Sequence, residues 1–114
     1  MADDYTYTIN SLDTNTITIT KYTGSGGVVD IPSNIVGKVV TDIGVRAFQY
    51  CYSLTNVTIP GSVISIGSNV FDGCTSLTNA SIGTNVTSIG GGAFQYCFSL
   101  AGITIPNSVT NIGA

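Results

Sequence analysis

Histidine, glutamate and tryptophan are absent from this sequence of 114 residues, and charged residues make up only 8% of it. Six aspartates face three cations, which gives a net charge of −3. Three scattered cations cannot form the basic surface that binds phosphate backbones, so nucleic-acid binding is excluded. The chain has a repeat of 23 residues, described below, and Asp30, Asp42 and Asp72 occupy three different positions of it. No histidine or glutamate is present to serve as acid or base. We therefore expect neither catalysis nor a cofactor.

Long hydrophobic runs are also missing, since no stretch approaches the ~20 apolar residues of a membrane span. The chain nevertheless contains 43% hydrophobic residues, more than a disordered polymer of polar and charged residues would have. The sequence therefore predicts one folded domain.

Only three cysteines are present, and Cys51, Cys74 and Cys97 follow one another at intervals of 23 residues. An odd number cannot pair completely, and the spacing is far from that of a zinc site. If residues at this interval stack on neighbouring parallel strands, the Cβ atoms of successive cysteines would lie about 4.8 Å apart or more. The Cβ atoms of a disulfide lie only ~3.5–4.5 Å apart. We expect free thiols in the core.

The interval of 23 residues recurs throughout the chain. The repeated unit reads Leu54-x-x-Val57-x-Ile59-Pro60-x-x-Val63-x-x-Ile66-Gly67-x-x-x-Phe71-x-x-Cys74 and begins again at Leu77 and Leu100. This period is typical of leucine-rich repeats, whose coils stack into a solenoid. We assign repeats to residues 54–76, 77–99 and 100–114, after an irregular first repeat over 28–53 with an insertion around 34–38.

Each unit also predicts its own local structure. Alternation of apolar residues predicts a strand over residues 54–59, which Pro60 ends, and a second short strand over 63–66. Gly67 is expected to adopt a positive φ. Residues 69–74 suit one helical or 3₁₀ turn.

Residues 1–27 do not follow the repeat. Alternating residues 5–9 and 16–20 predict a β-hairpin, which the glycine-rich residues 24–27 join to the repeats. Because a solenoid needs its open end covered, we interpret residues 1–27 as an N-terminal cap and join. The first four residues are not a signal peptide, and the pattern stops midway through a unit, so we expect a piece of a longer protein.

These residues resemble the BspA-like leucine-rich repeats, also called the Treponema pallidum type. Residues 47–51 and 93–97, both Ala-Phe-Gln-Tyr-Cys, are similar to the family's Ala-Phe-x-x-Cys signature. The match covers about residues 28–114, with Val70 in place of the signature alanine and Gly83 in place of a usual proline.

The resemblance implies a right-handed leucine-rich-repeat solenoid, rich in β-strand with short turns, from a secreted or surface-attached bacterial protein. Its family members are associated with adhesion to host matrix proteins or to other cells. No catalytic or ligand residues are defined for the family, so none is carried over.

Polar side chains of the first strand of each repeat form a candidate binding face, because such rows line the concave side of a horseshoe. Their hydroxyls and amides could bond an extended peptide or a glycan, or could simply solubilise exposed strands. The face comprises Asp30, Asn56, Thr58, Asn79, Ser81 and Thr104.

A candidate aromatic patch comprises Tyr50, Tyr52, Tyr96 and Phe98. Aromatic residues are favoured interface anchors. The intervening repeat has Gly73 and Thr75 at the matching positions, so the large rings could instead pack over small neighbours.

The function we favour is a non-catalytic binding or adhesion module. Its partner would be a host matrix protein, a cell-surface protein or a glycan. The alternative is a structural or engineered repeat fragment that self-associates through its uncapped C-terminal end, because an open strand edge can pair with another chain. We expect that end to leave Ile103, Ile105, Val109 and Ile112 half covered.

Overall fold

The computed structural model describes residues 4–103 and 105–113. The described chain winds into about 4 turns of a β-solenoid with about 23 residues per turn and almost no helix. Two sheets run along it. The strands are β1 (Tyr5–Ile9), β2 (Thr16–Tyr22), β3 (Gly27–Asp30), β4 (Asn34–Ile35), β5 (Lys38–Ile43), β6 (Leu54–Thr58), β7 (Ser65–Ile66), β8 (Asn79–Ser81), β9 (Ser88–Ile89), β10 (Gly102–Ile103) and β11 (Asn111–Ile112).

The first strands of the repeats form one sheet, and the second strands form the other. The four-stranded sheet has the order β10-β8-β6-β3, and the seven-stranded sheet runs β1-β2-β5-β7-β9-β11 with β4 paired to β5. Between repeats the strands are parallel and the register advances by one unit, since Asn56 pairs with Asn79 and Ser65 pairs with Ser88. The predicted solenoid with its period of 23 residues is therefore confirmed.

The third side of each coil consists of turns. In residues 69–74, Asp72 N donates to the Asn69 carbonyl oxygen at 3.3 Å and Cys74 N donates to that of Phe71 at 3.1 Å, which are the i to i−3 bonds of single turns and not of a continuous helix. Backbone hydrogen bonds join these turns from coil to coil, from Phe48 N to Val70 O (2.9 Å) and from Phe71 N to Ala93 O (2.8 Å). The rings of Phe48 and Phe71 are fully buried with their centroids 5.3 Å apart. Since each turn donates to the next coil, its backbone groups are satisfied without a helix.

The N-terminal hairpin forms as the sequence predicts, with β1 and β2 antiparallel. β2 also pairs in parallel with β5, so the hairpin continues the seven-stranded sheet. The Tyr22 ring stacks on that of Phe48 at 4.8 Å, and the Tyr5 ring lies 5.4 Å from that of Tyr22. The division into a cap over 1–27 and repeats over 28–114 stays a prediction.

The insertion in the first repeat is itself a small hairpin. β4 and β5 are antiparallel, and Ile35 pairs with Lys38 across a loop of two residues, Val36 and Gly37. Both loop residues have positive φ, 48° and 78°, as a tight turn that matches the twist of the strands requires. Val36 is exposed, and a β-branched residue is strained in this conformation.

The predicted positive φ of Gly67 is wrong, since that residue is not among those with positive φ in the described chain. A Cβ atom there would lie 2.8 Å from the Val45 nitrogen and 3.0 Å from the Gly44 carbonyl carbon. At the equivalent Gly90 and Gly113 a Cβ would also meet the backbone of the preceding coil. Glycine is needed in this column because successive coils approach too closely for a side chain.

Candidate functional site

The polar strand face lies on the four-stranded sheet. In the register, Asp30 pairs with Thr58 and Thr58 pairs with Ser81, which places these three side chains in one row. Asn56 and Asn79 are paired in a second row. Five of the six predicted residues are therefore brought together; Thr104 lies outside the described residues.

These five side chains keep their polar groups for solvent. Asp30, Thr58, Asn79 and Ser81 are exposed, and Asn56 is partly exposed. Within the described part of the chain none of the five makes a side-chain hydrogen bond. By contrast, Thr78 beside this face donates to the Thr55 carbonyl oxygen at 3.0 Å. The rows thus present unused donors and acceptors at the spacing of paired strands, about 4.8 Å.

The aromatic patch consists of two pairs of rings rather than one continuous cluster. Tyr50 and Tyr52 stack with centroids 6.1 Å apart and 21° between their planes. The Tyr96 and Phe98 centroids are 5.9 Å apart with a tilt of 52°. The exposed fraction of each ring residue exceeds one half, from 54% at Tyr50 to 78% at Phe98.

The backbone under these rings is left-handed. Tyr50 and Tyr96 have φ of 61° and 60°, and Gly73 at the equivalent position has φ of 75°. A Cβ at Gly73 would lie 2.5 Å from Cδ1 of the Tyr50 ring, so that ring leans across the glycine. Packing over a small neighbour, the alternative raised from the sequence, therefore occurs at Tyr50, although more than half of the residue stays exposed.

A second left-handed column, at Arg46, Asn69 and Gly92, was missed from the sequence. Each of the two left-handed columns contains a glycine in one repeat, Gly92 here and Gly73 in the column of Tyr50. These glycines could have revealed both columns, because only glycine adopts this conformation without strain. Asn69 Nδ2 donates to Asp72 Oδ2 at 3.3 Å, and Gln49 Nε2 donates to the same oxygen at 3.1 Å. Asp72 is buried, and its Oδ1 has no hydrogen-bond partner among the described residues.

The three cysteines are free, as expected from their spacing. The thiols of Cys74 and Cys97 each lie 3.1 Å from a carbonyl oxygen, those of Phe48 and Phe71. The neighbouring Cys51 thiol, together with burial, raises the pKa of Cys74. The Cys74 thiol in turn lowers the pKa of Cys51 against the effect of burial, with a smaller contribution from the Lys21 charge. Burial raises the pKa of Cys97.

A polar cleft beside the first aromatic pair was also missed from the sequence. It has a volume of about 360 Å³ and lies between the glycine-rich join and the turn that carries Tyr50 and Tyr52. Lys21, Ser25 and Ser53 also line it. Sequence spacing gave no signal for it, because its two walls belong to different coils.

The C-terminal edge is partly open. Ile105 and Ile112 are exposed at 38% and 58%, and Ile103 and Val109 are partly buried. A cleft of about 380 Å³ lies beside this edge, with Ile89, Phe94 and Ile112 in its lining.

Two features are absent from the described residues. No helix is long and apolar enough to cross a membrane. No three histidine, cysteine, aspartate or glutamate residues lie close enough together there to hold a metal ion.

The chain matches the family model of the BspA type leucine rich repeat region, in six copies, over residues 7–114. No curated protein matches it. Among solved structures it is similar to a T. pallidum leucine rich repeat protein, with 40% identity and a TM-score of 0.95 over 99% of this chain and 52% of that one. The chain thus spans about half the length of that relative.

Two further structures from other bacteria are similar. A leucine-rich repeat protein from Bacteroides capillosus is 37% identical, with a TM-score of 0.87 over 96% of this chain and 83% of that chain. A leucine rich cell surface protein from Faecalibacterium prausnitzii is 42% identical, with a TM-score of 0.84 over 96% of this chain and 31% of that one.

Proposed function

Since the chain belongs to the family of BspA-type leucine-rich repeat proteins, we propose that it is a non-catalytic binding module of a secreted or cell-surface bacterial protein. Its partner is a host matrix protein, a cell-surface protein or a glycan, and the polar strand face makes the contact. One similar protein is described as a cell surface protein, which supports this location.

The observation that carries the proposal is the polar strand face itself. Asp30, Thr58 and Ser81 stand in register on adjacent parallel strands, and none of them spends its hydrogen-bonding capacity on the fold in the described residues. A ligand that runs across the strands would meet a new polar group about every 4.8 Å. Repeat proteins use such extended surfaces for binding because each coil adds to the contact area.

A binding screen against immobilised matrix proteins and a glycan array tests this proposal. We expect a saturable hit that the pair of changes Thr58→Lys and Ser81→Lys weakens, because two lysines replace short hydroxyls at the centre of the face. The matched control is Thr6→Lys with Thr8→Lys, which adds the same charge at exposed threonines of β1 on the other sheet. Both pairs should leave the far-UV circular dichroism spectrum unchanged.

Two outcomes would contradict the polar strand face as the binding surface. One is a hit that persists unchanged in the Thr58→Lys and Ser81→Lys variant. The other is an equal loss in the control pair, which would show that added charge alone disturbs binding. No hit in any arm would count against the binding function as a whole.

A second candidate is self-association through the C-terminal edge. Ile105 and Ile112 expose apolar surface there, and β11 pairs only with β9 among the described strands. An edge of this kind can pair with a second chain. Multi-angle light scattering over a hundredfold range of concentration should then show a rising mass that Ile112→Lys abolishes; a constant monomeric mass would refute this candidate.

A further inference from the structure

The polar cleft beside Tyr50 and Tyr52 has the size of a small-ligand site, and its lining combines tyrosine rings with hydroxyl and amine groups. Its volume of about 360 Å³ falls within the 300–1,000 Å³ of ligand pockets, which combine aromatic walls with a few convergent polar groups. One wall is the stacked tyrosine pair, and the hydroxyl residues Ser25 and Ser53 line the cleft with it. These residues lie outside the polar strand face.

The cleft is preformed by hydrogen bonds from the glycine-rich join to the Ser53 backbone and to the Tyr22 side chain. Gly27 N donates to the Ser53 carbonyl oxygen at 2.8 Å, and Gly26 N donates to the Tyr22 hydroxyl at 3.0 Å. A Cβ at Gly26 would lie 2.8 Å from the Ser53 carbonyl carbon, so only glycine lets the join approach the turn this closely. A site that is rigid before binding loses less entropy when a ligand enters.

Packing of the Tyr50 ring over Gly73 explains only part of the aromatic wall. Gly73 takes the same left-handed backbone as Tyr50 without a side chain, so the solenoid itself needs no ring in this column. A tyrosine in this conformation is strained, by on the order of 1 kcal/mol. Both Tyr50 and Tyr52 also leave more than half of their surface in solvent. The strain at Tyr50 and the exposure of both rings indicate that the pair serves contacts outside the fold.

The charge of the residues that line the cleft indicates the class of ligand. The chain has twice as many aspartates as cations, yet Lys21 lines this cleft and no aspartate does so among the described residues. Asp4 and Asp30 line a neighbouring cleft, which shares Ser25 and Gly26 with this one. The site therefore favours a negatively charged group beside an aromatic surface.

We propose that this cleft binds a carboxylated sugar, such as a uronic acid residue of an acidic glycan. The faces of the tyrosine rings carry partial negative charge and attract the C–H groups of a pyranose ring. Lys21 pairs with the carboxylate, and the serine hydroxyls bond the hydroxyl groups of the sugar. An acidic peptide would satisfy Lys21 but would not use the stacked rings in this way.

Titration of the full chain with methyl β-D-glucuronide, followed by ¹⁵N-resolved NMR, tests the site. We expect saturable shifts at the amides of Ser25, Tyr52 and Ser53, with a Kd on the order of 1 mM for a ligand of this size. Methyl β-D-glucoside, which lacks the carboxylate, should bind about three- to fivefold more weakly, as the loss of one exposed ion pair implies.

Variants separate the two parts of the site. Lys21→Gln should weaken the glucuronide about three- to fivefold and leave the glucoside unchanged, whereas Lys38→Gln is the matched control and should change neither. Tyr52→Ala should abolish the shifts that the glucuronide causes and those that the glucoside causes. Tyr52→Leu keeps apolar bulk but has no aromatic ring, and it should abolish them too. Phe98→Ala removes an even more exposed ring from the other pair and should leave binding intact.

Several results would overturn the inference. They are the absence of saturable shifts at the cleft, equal affinity for the acid and the neutral sugar, or a loss on Phe98→Ala equal to that on Tyr52→Ala. N-acetylglutamate binding as tightly as the glucuronide would assign the cleft to acidic peptides instead. Since no residue of the polar strand face is altered, failure here leaves the proposed binding function to its own test.

Discussion

Replacement of Gly67 by alanine tests whether glycine in this column serves the close approach of coils. The added Cβ would lie 2.8 Å from the Val45 nitrogen and 3.0 Å from the Gly44 carbonyl carbon. Optimal non-bonded contacts are ~3.5–4.0 Å, so the two coils must separate by roughly 0.5 Å or more. Both neighbours are backbone atoms, which cannot rotate away as a side chain would.

The expected loss of stability can be assembled from three contributions. Overpacking costs about 1–3 kcal/mol, and weakening the hydrogen bond from Gly67 N to Ile43 O, 2.8 Å long, costs about 1 kcal/mol more. Lower entropy of the unfolded chain returns about 0.4–1 kcal/mol. The free energy of unfolding should therefore fall by about 1–3.5 kcal/mol, which lowers the urea midpoint by about 0.5–2 M.

Urea denaturation followed by far-UV circular dichroism measures this change. Gly61→Ala is the matched control, because its Cβ would meet only Asn85 Nδ2 at 3.9 Å and its φ is not positive. That control should gain about 0.4–1 kcal/mol. If Gly67→Ala matches the parent chain, or loses no more than Gly61→Ala, close approach of the coils is not the reason for glycine at this position.

Three further predictions concern stability. Val36→Asn should raise the free energy of unfolding by about 1 kcal/mol in the same urea assay, since asparagine tolerates the left-handed conformation better. The control Val45→Asn changes another exposed valine, which has no positive φ, and should give no gain. A loss of stability in Val36→Asn would contradict the inference that Val36 is strained. Phe71→Ala should cost about 3–5 kcal/mol because the ring is fully buried, whereas Phe98→Ala should stay within about 0.5 kcal/mol by thermal unfolding. Burial raises the pKa of the Tyr5 hydroxyl from 10.0 to about 12. The unfolded chain therefore releases the Tyr5 proton at a lower pH than the folded chain does. The resulting contribution to the free energy of unfolding is fully present below pH 10 and should be lost as the pH rises towards 12. Alkaline unfolding of Tyr5→Phe should show a weaker dependence in this window, and an identical curve would refute the assignment to Tyr5.

The solenoid could be predicted because its determinants recur in sequence. Leu54, Leu77 and their equivalents mark the same position of successive coils, and a period has no second interpretation at this length. Gly67 shows the limit of such reasoning. A positive φ and a close backbone approach both select glycine, and the sequence records only the selection.

The candidate site was predictable only where the register of the strands decides it. Counting 23 residues places Thr58 beside Ser81, as the structure does. The polar cleft depends instead on how the join packs against residues 50–53, an approach between segments with no common period. Tyrosine itself carries no signal for the left-handed backbone of Tyr50 and Tyr96, so only Gly73 at the equivalent position could have revealed it.

Contacts between adjacent coils have a genetic consequence. Side-chain hydrogen bonds such as Thr78 to Thr55, Thr87 to Ile64 and Thr110 to Thr87 each span one period of 23 residues. An in-frame duplication of one unit would therefore give the new coil both of its neighbours ready-made, and a deletion would bring two matching coils together. Recombination between such units can therefore change the length of the protein while every product still folds. The similar proteins differ in length in this way, since this chain covers 83%, 52% and 31% of three of them.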